Sequence, residues 1–214
     1  MRVRPVSFEL LVEELADQLT SREPDSNLRV GIDGPPAAAP ERLADALVDP
    51  LRVRGRPAIR ISTADFLRPA SLRLEFGRDN PDSFYAGWFD EAGLAREVLD
   101  PAGPGGSGRV LTRLWNAETD RAAREPYRDL PPGAVLLVSG PLLLGGGLAF
   151  DVAVHLEMSA AALARRTSDA DRWTLPAYAR YAAEVDPASF ADVVILLDDP
   201  RRPAMVLERR DASP

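Results

Sequence analysis

The sequence contains neither cysteine nor lysine, and it has a single histidine. The absence of cysteine excludes disulfides, thiolate metal ligands and thiol nucleophiles. The absence of lysine means that all 26 basic residues are arginines. The histidine, His155, lies in a predicted strand of alternating pattern without an evident partner, so we expect it to have a structural role. No spacing of metal-ligating residues is present, and we predict no metal site.

Acidic residues outnumber basic ones, so the formal net charge is −7. Binding to nucleic acid or to an anionic membrane requires a basic face, so we expect neither partner. Residues 1–19 are charged throughout and lack the apolar core of a signal peptide. The long uncharged stretch 133–150 is interrupted by Gly140, Pro141 and a triple glycine, which favours a strand running into a loop over a membrane helix. A cytoplasmic location is the simplest expectation.

The length of 214 residues predicts one compact α/β domain, 1–214. Short apolar strands alternate with helices, which is typical of a parallel, doubly wound sheet. The predicted strands are 28–32, 58–62, 134–138, 151–156 and 192–197, and the predicted helices are 7–20, 41–48, 91–99, 159–166 and 175–184. We expect Ser159 to cap its helix, the stretch 68–89 to be loop-rich and the tail 201–214 to be flexible.

The most informative stretch is 28–45, LRVGIDGPPAAAPERLAD, which reads as a strand, a glycine-containing loop and a helix. A working phosphate-binding loop has the pattern G-x-x-x-x-G-K-[ST], because backbone N–H groups and the lysine hold phosphate and the hydroxyl binds Mg²⁺. Counted from Gly34, the second glycine falls on Ala39, the lysine on Pro40 and the hydroxyl on Glu41. The positions of this loop are Gly34, Pro35, Pro36, Ala37, Ala38, Ala39, Pro40 and Glu41.

These replacements oppose anion binding. Pro40 suits the first turn of a helix but has no N–H to offer a phosphate. Glu41 places a carboxylate at the positive end of the helix dipole, where it competes with phosphate. The alternative is an ordinary strand–loop–helix unit that never bound phosphate.

Several ordered segments between about residues 28 and 198 resemble the uridine kinase-like branch of the P-loop kinases, in particular its high-GC bacterial members. They are GIDGP, ADF, FGRDNPDSFY, LDPAGPGG, AETDR, PPGAVLLVSG and ALARRTSDADR. The resemblance implies a three-layer P-loop NTPase domain with a five-stranded parallel sheet in the order 2-3-1-4-5.

The resemblance also assigns candidate roles to individual residues. In such kinases an acid after the second strand activates the substrate hydroxyl. Its match in this sequence is Ala64 or Asp65, so Asp65 is the candidate catalytic residue. The alternative is that Asp65 caps the loop. Ser139 stands where the Walker B acid would help to hold Mg²⁺.

Two further groups of residues follow from the resemblance. The candidate substrate-binding residues are Phe66, Arg73, Tyr85, Trp115, Asn116 and Arg121. The candidate lid residues, which would contact phosphates in a closed kinase, are Arg165, Arg166 and Arg172. The aromatic residues could equally belong to the core, and the arginines to a solvated helix face.

Three functions remain open. The first is a uridine kinase-like protein with impaired ATP-dependent phosphoryl transfer. It would act as a regulatory module or as a binding module for a small molecule such as a nucleoside, and it would need no cofactor. The second is an active nucleoside or other small-molecule kinase that uses ATP and Mg²⁺ at a rebuilt site. The third is a structural or partner-binding protein, such as a homodimer, with a vestigial pocket.

Overall fold

The computed structural model describes residues 2–208 of the chain. Its strands are β1 (Arg2–Pro5), β2 (Leu28–Asp33), β3 (Ala58–Ser62), β4 (Arg109–Val110), β5 (Trp115–Asn116), β6 (Arg121–Ala122), β7 (Arg128–Asp129), β8 (Val135–Gly140), β9 (Val152–Glu157), β10 (Val193–Leu196) and β11 (Ala204–Glu208). Its α-helices are α1 (Phe8–Thr20), α2 (Pro40–Val53), α3 (Ala70–Arg73), α4 (Pro81–Gly87), α5 (Glu91–Leu94), α6 (Asp100–Ala102), α7 (Ala160–Arg166) and α8 (Leu175–Glu184).

Shorter helical turns connect these elements. Four of the turns are of the 3₁₀ type, at Pro36–Ala38, Thr63–Phe66, Asp169–Thr174 and Pro187–Phe190. A π-helical turn, Ala95–Leu99, continues α5. None of the helices in the described part of the chain combines the length and the apolar composition that a bilayer crossing needs.

A seven-stranded sheet runs through the molecule in the order β1-β11-β10-β9-β2-β8-β3. The five strands β10, β9, β2, β8 and β3 are parallel neighbours. In chain order they form the predicted arrangement 2-3-1-4-5, which confirms the α/β fold class with a parallel core. β11 and β1 extend the β10 edge as antiparallel strands.

Two apolar clusters cover the two faces of this sheet. Val135 and Leu137 of β8 pack in one cluster with α1 and α2, whereas Leu136 and Val138 pack in the other cluster with the α5 region. The alternation follows from the period of two in a strand, and strand β8 is buried along its whole length. Helix–sheet–helix layering is the result.

Several boundaries differ from the predictions. Within the predicted flexible tail 201–214, residues Ala204–Glu208 form β11, which pairs with the unpredicted strand β1, and residues 209–214 lie outside the described part of the chain. The stretch 68–89, predicted as loop-rich, contains α3 and α4. The predicted strand 134–138 reaches Gly140, so Ser139 lies within the sheet. Ser159 caps α7 as predicted, its hydroxyl accepting from the Ala162 N–H.

Candidate functional site

The loop between β2 and α2 makes a tight turn at the carboxyl end of the sheet. A Cβ atom on Gly34 would lie 2.9 Å from Cβ of Leu156 on β9, so only glycine fits there without a shift. Ala39 has φ 55° and ψ 55°, a left-handed conformation at the start of α2. Non-glycine residues rarely adopt this conformation, and it costs an alanine about 1 kcal/mol.

The same loop offers few backbone N–H groups to a ligand. Pro35, Pro36 and Pro40 have none. The N–H of Ala38 donates to the Pro35 carbonyl at 2.8 Å, and that of Ala39 donates to the Pro36 carbonyl at 2.9 Å. The 3₁₀ turn therefore uses amides that could otherwise bind an anion.

A network of four side chains, which we call the Glu41 cluster, lies between the N-terminus of α2 and the carboxyl ends of β3 and β8. It consists of Glu41, Arg60, Ser62 and Ser139. The Glu41 carboxylate accepts from the Ser139 hydroxyl at 2.5 Å, from the Ser62 hydroxyl at 2.9 Å and from the Arg60 guanidinium. Arg60 also donates to the Glu41 carbonyl at 2.8 Å and to the Asp45 carboxylate at 2.6 Å.

Sheet register explains why the Glu41 cluster forms. Ser62 and Ser139 are direct partners on the neighbouring strands β3 and β8, so their hydroxyls share the carboxyl edge of the sheet. Glu41 stands in the first turn of α2, where a carboxylate is favourable at the helix N-terminus. The Arg60 guanidinium supplies the positive charge that this carboxylate requires.

A cavity of about 370 Å³, which we call the loop cavity, lies between the proline-rich loop and a cluster of aromatic rings. Phe84 contacts Trp88, Trp173 and Tyr178 in edge-to-face geometry, with ring centroids 5.5–5.8 Å apart. The cavity is lined by Pro35, Pro36, Ala37, Phe84, Trp88, Leu163, Arg166, Thr167, Ser168, Asp171, Trp173, Thr174 and Tyr178. Its size suits a small molecule, and its walls are largely apolar.

His155 lines a second cavity, of about 130 Å³, which we call the histidine cavity. Its Nδ1 atom lies 2.7 Å from Oδ2 of Asp33, and the register pairs these two residues across β2 and β9. Asp33 is fully buried and also accepts from the Leu143 N–H at 2.9 Å. His155 therefore has a buried partner, Asp33, that its position in the sequence does not indicate.

No protein-family model matches the chain, and no curated protein matches it. Among solved structures it is similar to a possible uridine kinase from Bacillus stearothermophilus, with a TM-score of 0.69 and 18% identity over 86% of this chain and 96% of that one. The chain has the fold of a P-loop kinase. A proposed fructose transport system kinase from a Silicibacter species has a TM-score of 0.55 and 21% identity, over 86% of this chain and 91% of the other. The structural similarity shows the fold, and at these low identities the chemistry has to be argued from the residues of the site.

Asp65, the candidate catalytic residue of this kinase fold, is held in an ion pair. Its Oδ1 atom accepts from Nε of Arg113 at 2.6 Å, and Arg113 also approaches Glu125 at 3.9 Å. Burial raises the pKa of Asp65, and the hydrogen bond from Arg113 opposes that rise. The sequence analysis did not include Arg113, which lies 48 positions away along the chain.

Three of the candidate substrate residues have other structural partners. Phe66 is fully buried in the core beside the sheet. Arg73 is buried, donates to the Arg68 carbonyl at 2.6 Å and stacks on Trp88 with 5.2 Å to the ring centroid. The Tyr85 hydroxyl donates to the Glu184 carboxylate of α8 at 3.2 Å.

The other three candidates, Trp115, Asn116 and Arg121, lie together on the β5–β6 hairpin and line an open cavity of about 780 Å³. The Trp115 indole donates to Asp120 at 3.1 Å, and Asp120 lies 4.0 Å from Arg73. Asn116 accepts from two backbone N–H groups of its own turn, at 3.0 Å each. These side chains stabilise the hairpin, and Asp120 connects it to Arg73.

The three predicted lid arginines have different surroundings. Arg165 is exposed, and Arg172 pairs with Asp169 at 2.9 Å within its own turn. Arg166 donates to the Leu197 carbonyl at 3.1 Å and alone among the three lines the loop cavity.

Proposed function

We propose that this chain is a uridine kinase-like protein whose phosphate-binding loop and Walker B position are degenerate. It does not carry out ATP-dependent phosphoryl transfer, and it acts as a binding or regulatory module for a small molecule such as a nucleoside. The observation that carries the proposal is the Glu41 cluster. It unites, by direct hydrogen bonds, the two positions that would otherwise share a metal ion, Glu41 and Ser139.

The residues present do not fit Mg²⁺ with a nucleoside triphosphate. Mg²⁺ requires oxygen ligands that are free to point at the metal. The Glu41 carboxylate is engaged by two hydroxyls and a guanidinium, and the Arg60 guanidinium provides the cation at this position. In the described part of the chain, no group of three or more acidic, histidine or cysteine residues could hold a metal ion.

The loop geometry supports the same proposal. Phosphoryl transfer depends on positioned phosphates and on stabilisation of developing negative charge. Three prolines and an internal 3₁₀ turn leave few amides for phosphate, and Asp65 is bound by Arg113 rather than available as a base. Each of these losses acts on a different part of the reaction, so repairing one does not restore the others.

The loop cavity supports a binding role over a vestigial site. Its volume of about 370 Å³ falls in the range of small-molecule pockets, and it is open beside Pro35–Ala37 rather than filled by side chains. The aromatic rings on its far wall suit a flat ring in the ligand. The ligand therefore belongs beside the loop and not at the sheet edge near Asp65.

Calorimetric titration with ATP, with and without Mg²⁺, and then with uridine and UMP in the same buffer, tests this proposal. We expect no binding of ATP at millimolar concentrations in either case. Mg²⁺-dependent ATP binding, with turnover that disappears in Asp65→Ala, would overturn it and establish an active kinase with a rebuilt site. An Asp151→Asn variant is the matched control for loss of a carboxylate, because Asp151 pairs with Arg29 before β9 and lines neither the loop cavity nor the histidine cavity.

A further inference from the structure

A groove beside α3 and α4, which we call the α3–α4 groove, is not part of the candidate site. It has a volume of about 460 Å³ and is lined by Arg68, Leu72, Glu75, Phe76, Asn80, Asp82, Ser83, Ala86 and Gly87. None of these residues lines the loop cavity or the histidine cavity. The groove is therefore a separate surface of the molecule.

Two large apolar side chains are exposed in this groove. Phe76 is 71% exposed and Leu72 is 44% exposed. Exposed apolar side chains that lie together around a groove are typical of interaction sites, whereas single scattered ones are not. Leu72 lies four positions after Arg68 and four positions before Phe76, and all three line the groove. They form a stripe with Leu72 in its middle.

The two ends of this stripe carry opposite charges. At one end the Arg68 guanidinium lies beside Gly87, 4.0 Å from the position that a Cβ atom there would take. The other end carries Glu75 and Asp82, of which Asp82 pairs with Arg180 at 3.3 Å. Within residues 2–208, the side chains of Arg68 and Glu75 have no hydrogen-bond or ion-pair partner. Each end therefore presents one unpaired charge.

The stripe is complementary to itself. A two-fold axis through its middle places two copies antiparallel, so that Leu72 meets the partner's Leu72. Each Arg68 then faces the end of the other stripe, where Phe76 and Glu75 lie. A guanidinium binds both an aromatic face and a carboxylate. Because the same patch serves both copies in a two-fold interface, self-complementarity of this kind is what such an interface requires.

We propose that the chain forms a two-fold symmetric homodimer through the α3–α4 groove, with the Leu72 side chains at the axis and each Arg68 bound by the partner's Glu75 and Phe76. A second copy fits better than a peptide or a small molecule, because one surface supplies both the projecting ring and the groove that receives it. The contact uses no residue of the loop cavity, so this inference does not depend on the proposed small-molecule function.

Sedimentation velocity of the full chain, over a concentration series in the micromolar range, tests the dimer. The chain has a mass of 23.2 kDa, and we expect twice this mass at the upper concentrations. Phe76→Ser should weaken the dimer by about a hundredfold or more, because the ring is lost from both copies and each buried ring is worth about tenfold or more.

Val53→Ser is the matched control for loss of an exposed apolar side chain. Val53 is 86% exposed in the last turn of α2, which precedes β3, whereas the groove follows the carboxyl end of β3. We expect this variant to dimerise as the parent does.

Charge reversal identifies the contact itself. Arg68→Glu and Glu75→Arg each place like charges opposite each other twice in a dimer, so each variant alone should dimerise about tenfold more weakly than the parent. In an equimolar mixture, the carboxylate introduced at position 68 meets the guanidinium introduced at position 75, and the native Arg68 of one copy meets the native Glu75 of the other. We expect the mixture to regain dimers that contain one copy of each variant.

Four outcomes would overturn the inference: the parent stays monomeric, its mass rises beyond that of a dimer, Phe76→Ser dimerises as the parent does, or the mixed charge variants do not regain the dimer. A monomeric parent would leave the groove to a peptide or a small molecule. If Phe76→Ser does not fold, the charge variants decide. Failure here is seen in the sedimented mass, whereas failure of the proposed function is seen as Mg²⁺-dependent ATP binding.

Discussion

Introducing an acid at Ser139 tests whether the Glu41 cluster excludes a further carboxylate from this end of the sheet. Ser139 is fully buried, and its hydroxyl lies 2.5 Å from Oε2 of Glu41 and 3.3 Å from Nη2 of Arg60. In Ser139→Asp a second carboxylate would face Glu41 at this contact. The Arg60 guanidinium is already shared between Glu41 and Asp45, so it cannot neutralise a third acid.

The magnitude follows from Coulomb's law. Two unit charges 4 Å apart repel by about 4 kcal/mol at an effective dielectric constant near 20. The Glu41 side chain is 44% exposed, so solvent screening reduces this repulsion to about 2 kcal/mol. Replacing Glu41 with the neutral isostere glutamine removes the repulsion, so Ser139→Asp should cost about 2 kcal/mol less in Glu41→Gln than in the parent.

Urea unfolding of the parent, the two single variants and the double variant measures this coupling as a double-mutant cycle. Ser139→Asn is the control, because it has the shape of aspartate without its charge and reports the steric cost alone. If the two substitutions add to within about 0.5 kcal/mol, the two side chains are independent and the reasoning about the cluster is wrong.

Further predictions concern the loop and the sheet. Ala39→Gly should stabilise the fold by about 0.5 kcal/mol in thermal unfolding, because glycine relieves the left-handed strain and loses part of that gain through its more flexible unfolded state. Gly34→Ala should destabilise it by about 1–3 kcal/mol in urea unfolding, because the new methyl group meets the backbone-proximal atoms of Leu156. Burial opposes ionisation of Asp151, but hydrogen bonds from Arg29 outweigh it and hold the pKa of Asp151 below its ordinary value. Asp151 therefore binds fewer protons in the folded state than in the unfolded state. Its contribution to stability is present above the unfolded pKa and is lost as pH falls through the folded pKa. Asp151→Asn should flatten the acid limb of a curve of unfolding free energy against pH.

The parallel core could be predicted from local sequence, whereas the sheet edges could not. Strands such as 134–138 are continuous apolar runs, and the predicted helix 175–184 has the same bounds as α8. β1 and β11 are short, and they have strand structure because they pair with each other across the whole length of the chain. Pairing of that kind leaves no periodic signal in either segment alone.

In the candidate site, too, single residues could be predicted from the sequence, whereas their contacts could not. The sequence predicts an anion at Glu41, but the pairing of Glu41 with Arg60 depends on how α2 lies over β3. Asp33 and His155 are 122 positions apart, and only the register of β2 with β9 brings them together. A signal was nevertheless available, because the predicted strand order places these two strands side by side, with one polar residue near the carboxyl end of each.

The pairing of β1 with β11 has a consequence for how the molecule is made. Arg2–Pro5 pair with Ala204–Glu208, which are translated after the whole parallel core of the sheet. Until then the outer edge of β10 has no neighbour, and an open edge strand of Val193–Leu196 composition is a template for pairing with another chain. Shortening the chain before Ala204 would make this interval permanent, so we expect such a shortened chain to aggregate even though its parallel core and both cavities are present.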